Sequence, residues 1–259
     1  TDDTQKIATS YDSRLKYFRS EVNTPLGPAR NMALKKTTGS YIAFLDSDDL
    51  FLPSALQKQV EVMESGGYGL VYAGAIDIHG NGKEIGHRKV GYSSGNIFEN
   101  LLKKYEISMC SVMMRRSIIL KDGLGFDESL QYCPDYNLFM KIAARYPIGV
   151  MHDYFVKYRH TSDSLSRKTL HLAAKENGQT LDELENMYPD AVRSCGDIMR
   201  EARSKLNFYE AVNHINKGMY SKARSVLKPA IRHHWQFLFI YLILFLPIPK
   251  NWMLRALKR

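Results

Sequence analysis

The most restrictive stretch of the chain is Tyr41 to Pro53, where a short apolar run gives way abruptly to carboxylates. Tyr41-Ile42-Ala43-Phe44-Leu45 reads as a strand buried on both faces of a sheet. Asp46, Asp48 and Asp49 crowd its C-terminal end, and Pro53 opens a helix expected to run to Glu64. Acids packed this closely repel one another, so the arrangement makes most sense around a positive charge such as a divalent cation. The simpler alternative is that Asp48 or Asp49 caps the following helix, but a cap needs a single acid. A calcium loop of the EF-hand kind is excluded: Phe51 stands where that loop requires glycine, and Gln57 where it requires the closing glutamate. Open α/β sheets bind ligands at the carboxyl ends of their strands, so a metal or nucleotide role is the stronger expectation.

The flanking segments place this stretch in a layered α/β domain. Residues 1–11 read as a capped helix with Thr1, Asp2 or Asp3 as N-cap, and the chain is expected to lack its original start. Leu15 to Arg19 reads as a short strand. Pro28 suits the opening of a helix that carries Arg30 and Asn31 in its first turn and ends near Gly39. Beyond the acids, Tyr68 to Ile78 is a strand and His79-Gly80-Asn81-Gly82 a turn, so Lys83 to Val90 pairs back as a hairpin. Asn96 to Lys104 is helical, Ile107 to Arg115 strand-like, and Gly123 to Glu128 a loop. Tyr136, Phe139, Met140, Ile142 and Ala143 then mark an amphipathic helix, and Ile148 to Tyr158 a strand.

Charge is unevenly placed. Of the net +9, all is carried by Lys217, Lys222, Arg224, Lys228, Arg232, Lys250, Arg255, Lys258 and Arg259, because no acid follows Glu210. Residues 168–231 read as a helical extension, with a helix pair at 207–214 and 220–227 broken at Gly218. Residues 232–259 contain the apolar run Trp235 to Leu246, which is well short of the ~20 residues needed to cross a bilayer. Pro247, Pro249 and the basic flanks favour an in-plane anchor on an anionic membrane surface; a buried core helix is the alternative. The basic surplus surrounds this run and lacks interleaved stacking aromatics, so nucleic acid is not an expected partner. Cys110, Cys133 and Cys195 have no metal-ligand spacing and read as reduced cytosolic thiols.

Three stretches, GPARNMALKKTTGSYIAFLDSDDLFLP, GFDESLQYCPDYNLFMKIAARYP and YRHTSDSLSR, together resemble the family-two inverting glycosyltransferases of the GT-A fold, in their bacterial polysaccharide branch. The resemblance covers residues 1–167. It implies an α/β, Rossmann-like domain with a mixed, mostly parallel sheet. TDDT resembles the end of the family pattern Asp-Asp-Gly-Ser-x-Asp-x-Thr, so the resemblance implies that the strands preceding it in the family are expected to be missing from this sequence. Asp46 and Asp48 would be the DxD pair that holds Mg²⁺ or Mn²⁺ on the diphosphate of a nucleotide sugar, Asp46 also facing the ribose. Arg30 would face the nucleotide, and Arg159 and His160 would close over the diphosphate, His160 as a further metal ligand. Asp135 would be the catalytic base. Pro134 replaces the acid that usually precedes it, and loss of that like charge is expected to lower its pKa.

The implied activity is transfer of a sugar, with inversion, from a nucleotide-sugar donor to a glycan or lipid-linked acceptor in cell-surface polysaccharide or glycolipid synthesis. The implied location is cytoplasmic, peripheral on the inner face of the cell membrane. A non-catalytic nucleotide-sugar or membrane-binding module is the alternative from another class.

Overall fold

The computed structural model describes residues 3–11, 15–161 and 163–246. The chain opens with α1 (Thr4–Thr9) and α2 (Leu26–Lys36), then β1 (Tyr41–Ala43), β2 (Leu50–Phe51) and α3 (Ala55–Gly66). A hairpin of β3 (Leu70–His79) and β4 (Glu84–Arg88) follows, then α4 (Phe98–Lys103), β5 (Met113–Arg115), α5 (Arg116–Lys121), α6 (Pro134–Ala143) and β6 (Ile148–His160). The remainder is helical: α7 (Leu165–Lys168), α8 (Ala173–Met187), α9 (Pro189–Arg193), α10 (Gly196–Asn216), α11 (Tyr220–Leu227) and α12 (Gln236–Ile243).

The strands form one mixed sheet in the order β1-β5-β3-β6-β2, with β4 also on β3. Strand β3 is the spine: Leu70 to Ala75 are buried without interruption, as a strand covered on both faces must be. Among the described strands, β3–β6 is the parallel pairing; β1–β5, β2–β6, β3–β4 and β3–β5 are antiparallel, which corrects the mostly parallel expectation. Parallel pairing needs a long crossover, and the β3-to-β6 connection, with three helices, supplies one. The β3–β4 hairpin needs a tight turn instead, closed by Gly82 at φ +85° and by a hydrogen bond from the Gly82 N–H to the His79 carbonyl.

Several boundaries shift for local reasons. Strand β1 stops at Ala43 because its partner β5 is short, cut off by a 3₁₀ turn at Met109–Ser111. Leu45, expected to be buried, is therefore exposed. Helix α3 begins at Ala55 and not Pro53, since Ser54 adopts the left-handed conformation at φ +65°; its Ala55, Gln59 and Met63 then repeat at helical spacing on the buried face. Leu15 to Arg19 forms no strand: it pairs with no strand among the described residues, and Phe18 packs under the Lys36 ammonium. Asp3 precedes α1 without a side-chain cap bond; Thr1 and Asp2, the other expected caps, lie outside the described residues. The helix pair separated at Gly218 is present, with that glycine at φ +72°.

The main core joins the sheet to the first part of the extension. Leu181 and Leu184 of α8 and Met199 and Ala202 of α10 belong to the same buried cluster as Tyr72, Leu138 and Ile148. Polar contacts align the two parts: Asn137 donates to Thr180 and Glu183, and Lys141 pairs with Glu183 at 2.7 Å. A second cluster, including Ile215, Ala223, Leu227 and Phe237, packs α10 to α12 against each other. The three cysteines are free and buried.

Candidate active site

The carboxylates form a tight turn after β1, closed by the Asp49 N–H donating to the Asp46 carbonyl at 3.0 Å. Their environments differ. Asp49 is buried, and burial pushes its carboxyl up, against the opposing bonds it accepts from the Arg159 N–H at 2.8 Å and from Cys110. It is a structural acid that fastens the turn to β6. Asp46 is half-exposed and accepts from Arg30 Nη2 at 3.0 and 3.3 Å. Asp48 is exposed, and its carboxylate takes no hydrogen bond among the described residues.

Arg30 is held rigidly. Only 7% exposed, its guanidinium lies 6.0 Å from the Phe44 ring centre and 5.5 Å from that of Phe126. Its neighbour Asn31 acts as a two-way clamp: the amide donates to the Phe126 carbonyl and to Glu128, while its oxygen accepts the Phe126 N–H. The Ala-Arg-Asn helix and the Phe-Asp-Glu loop, far apart in sequence, are thus bolted together.

Arg159 donates from Nε to the Asp48 carbonyl at 2.7 Å and from Nη1 to the His79 and Gly80 carbonyls. It ties the acid turn to the tip of the β3–β4 hairpin. His160 is turned elsewhere: its Nε2 lies 2.8 Å from Asp77 Oδ1, and it is absent from the cleft wall. Arg88, which the sequence did not single out, lines the cleft, bonds Asp77 through Nε at 2.8 Å and stacks over Tyr158 at 3.9 Å.

Asp135 sits in the first turn of α6, whose Pro134 occupies a position that needs no N–H partner. Burial raises its pKa, opposed by the positive charge of Arg30 and by the amide N–H groups of Asp135 and Tyr136. This corrects the expected lowering: removing one like charge matters less than enclosure, and Asp46 supplies another like charge. The loop before Asp135 is held from the extension. Glu176 of α8, 4% exposed, accepts the backbone N–H groups of Gln131 at 3.0 Å, Tyr132 at 2.7 Å and Cys133 at 3.2 Å. Three successive amides aimed at one carboxylate form an anion nest that this side chain fills.

Arg30, Asp46, Asp48, Arg159 and Asp135 meet on the wall of one cleft of ≈ 460 Å³. Among the described residues no group of three His, Cys, Asp or Glu side chains converges as a complete protein-only cation cage. The donor set nonetheless fits Mg²⁺ or Mn²⁺ shared with a substrate, because such ions use one or two carboxylates and take their other ligands from phosphate and water. Among the described residues, Asp48 has the free carboxylate this needs and Asp46 has a single ion-pair partner.

An acidic turn, a buried arginine and the aspartate at the start of α6 thus share one cleft at the edge of an α/β sheet. Residues 1–121 match the description "Glycosyl transferase family 2", and this part of the chain belongs to that family. The Escherichia coli protein WfgD, a UDP-Glc:alpha-D-GlcNAc-diphosphoundecaprenol beta-1,3-glucosyltransferase, is 30% identical over 166 residues, covering 62% of this chain and 62% of that protein. Among solved structures, the fold is shared with Staphylococcus aureus TarS bound to UDP-GlcNAc, with a TM-score of 0.57 at 16% identity over 88% of this chain and 79% of that one. It is shared too with a Pyrobaculum calidifontis mannosyltransferase bound to GDP-Man and Mn²⁺, with a TM-score of 0.57 at 15% identity over 99% of this chain and 67% of that one. The expected GT-A fold is therefore the fold found. The chain spans from 22% to 62% of the length of the curated relatives it matches.

Proposed function

We propose that this protein transfers a sugar, with inversion, from a nucleoside-diphosphate sugar to a hydroxyl of a glycan or lipid-linked acceptor in polysaccharide synthesis. The observation that carries this reading is the meeting of Asp135 with Asp46, Asp48 and Arg30 in one cleft. Asp135 takes the proton of the acceptor hydroxyl as its oxygen bonds to the anomeric carbon and the bond to the nucleoside diphosphate breaks. A base whose pKa is raised by enclosure is stronger than an exposed aspartate, which favours that proton transfer. Arg30 holds Asp46 in place and keeps positive charge beside the cleft. Asp48 and Asp46 would hold Mg²⁺ or Mn²⁺, which when bound offsets negative charge on the leaving diphosphate. His160 enters this scheme only if its bond to Asp77 is exchanged. WfgD acts on a sugar diphosphate-linked to undecaprenol, and an acceptor of that kind is consistent with the membrane site described below.

Isothermal titration of UDP-glucose, UDP-N-acetylglucosamine and GDP-mannose with Mn²⁺ tests the donor half of the proposal. Asp48→Ala is expected to weaken the Mn²⁺-dependent affinity by about 10-fold or more. Unchanged affinity in that variant, or no donor binding by the parent protein, would overturn the reading.

We further propose that α12 seats the protein on an anionic membrane surface, on the inner face of the cell membrane. No helix among the described residues is long and apolar enough to cross a membrane. Phe237 and Leu244 of this region face the core, yet Trp235 is 82% exposed, Phe239 66% and Phe245 59%. Arg224 caps the helix end through the Leu244 carbonyl and lies over Phe245 at 4.3 Å, placing a cation beside the apolar face. Pro247, Pro249, Lys250, Arg255, Lys258 and Arg259, part of the expected anchor, lie outside the described residues. The double variant Trp235→Ala, Phe239→Glu should leave the supernatant enriched when the protein is sedimented with phosphatidylglycerol vesicles. Salt should weaken parent binding only in part, because apolar burial is not screened. Equal sedimentation of both proteins would refute the anchor.

A further inference from the structure

His234 is a buried histidine that the proposed transfer does not use. It is 4% exposed, although Trp235 beside it is 82% exposed, and it stands where the chain enters α12. One residue of α10, Glu201, meets both nitrogens of its ring. Nε2 lies 3.3 Å from the Glu201 carbonyl oxygen, and Nδ1 lies 3.8 Å from the carboxylate Oε1. The ring also packs against Phe237, 4.9 Å between centres.

Both groups that meet the imidazole are acceptors. A neutral imidazole has one N–H, so either tautomer turns a nitrogen lone pair towards one of the two oxygens. The imidazolium has two N–H groups, and it donates to the carbonyl while its charge pairs with the carboxylate. Enclosure sharpens this difference, because little water is at hand to make it up. Nearby attachments of α12 are of another kind: Phe237 stacks on Phe208 of α10 at 5.1 Å, and Arg224 of α11 donates to the Leu244 carbonyl.

Other charged groups surround the contact. Lys205 of α10 lies 3.7 Å from the same carboxylate, Lys103 of α4 is close enough to sense its charge, and Arg232 and His233 precede His234 in the chain. Lysine and arginine keep their charge through neutral pH. Of these neighbours, the exposed His233 is therefore the one whose charge changes there.

We propose that His234 is a proton-operated latch: charged, it fastens the start of α12 to α10, and neutral, it lets that helix loosen. An anionic leaflet at about −30 mV draws protons and lowers the local pH by about half a unit. The latch therefore tightens where the exposed face of α12 meets such a surface. That consequence rests on the membrane reading, whereas the latch rests on the geometry at Glu201.

Hydrogen exchange of the full chain in solution, read by mass spectrometry over residues 236–243 and corrected for the intrinsic rate at each pH, tests the latch without a membrane. Protection of α12 should fall by about 5-fold from about pH 5.5 to about pH 8, the scale of one net hydrogen bond lost as a histidine discharges. His233→Gln should keep this dependence. His234→Gln should lose it, and so should Glu201→Gln, whose amide can donate to a neutral ring. Protection over β3, read in the same samples, should stay level. A level profile over α12 in the parent, a matching fall over β3, or a dependence that survives in His234→Gln overturns the proposal. Sedimentation of the parent with phosphatidylglycerol vesicles should fall over the same interval. Failure to sediment at any pH would remove the membrane reading and leave the latch standing.

Discussion

Asp135→Asn is expected to cut turnover by about 10²-fold or more while donor affinity stays nearly intact. Asparagine preserves the size of the side chain at the start of α6 but cannot take a proton. The separation of the two effects follows from where the residue sits. Asp46, Asp48 and Arg30 form the wall proposed to hold the donor, whereas Asp135 lines that cleft and also a second cavity beside it. A pH profile sharpens the test. An acid is inactive as a base while protonated, so kcat should rise with pH through a limb centred above the ordinary aspartate range, because burial raises this carboxyl. The limb should vanish from the residual activity of the variant. If donor affinity falls along with turnover, Asp135 is a structural element of the helix start; if transfer is near normal, the base lies elsewhere.

The ordering of motifs along the chain was legible because each stretch carries its own local chemistry. An apolar run ending in carboxylates, a turn with Asn81-Gly82, and an aspartate beside a proline at a helix start can each be read without knowing the rest. Long-range partnerships were not legible. Arg30 reads from sequence as an exposed helical arginine, yet its two phenylalanine neighbours come from β1's continuation and from the loop at Phe126. Asp49 reads as one of a set of equivalent acids, and its burial together with its bonds from the Arg159 N–H and Cys110 separates it from the exposed Asp48. His160 follows Arg159 directly, but Asp77 of β3 takes its Nε2, through a register that a strand pattern does not fix. Arg88 reads from sequence merely as part of a hairpin strand, and nothing in its flanks announces Tyr158 beneath it.

Glu176 was the least visible of these residues, since a glutamate in a charged helical segment reads as part of a solvated face, and its replacement is expected to have the second large effect. Glu176→Ala should lower stability by about 3 kcal/mol, the scale of one or two charge-assisted hydrogen bonds lost from partly or fully buried amides. For a chain of this size that corresponds to roughly 6–12 °C in the thermal midpoint. Glu176→Gln should not rescue it well: both carboxylate oxygens accept N–H donors, and an amide NH₂ would face one of them. The consequence for function follows from proximity in the chain, because the Cys133 N–H is anchored two residues before Asp135. Assayed well below its own midpoint, Glu176→Ala should lose turnover with little change in donor KM, since a base displaced by even 1 Å loses much of its effect. A calorimetric scan together with steady-state kinetics checks both halves. A variant as stable and as active as the parent would mean that the nest at Gln131–Cys133 finds another acceptor, and that the helical extension does not govern the position of the base.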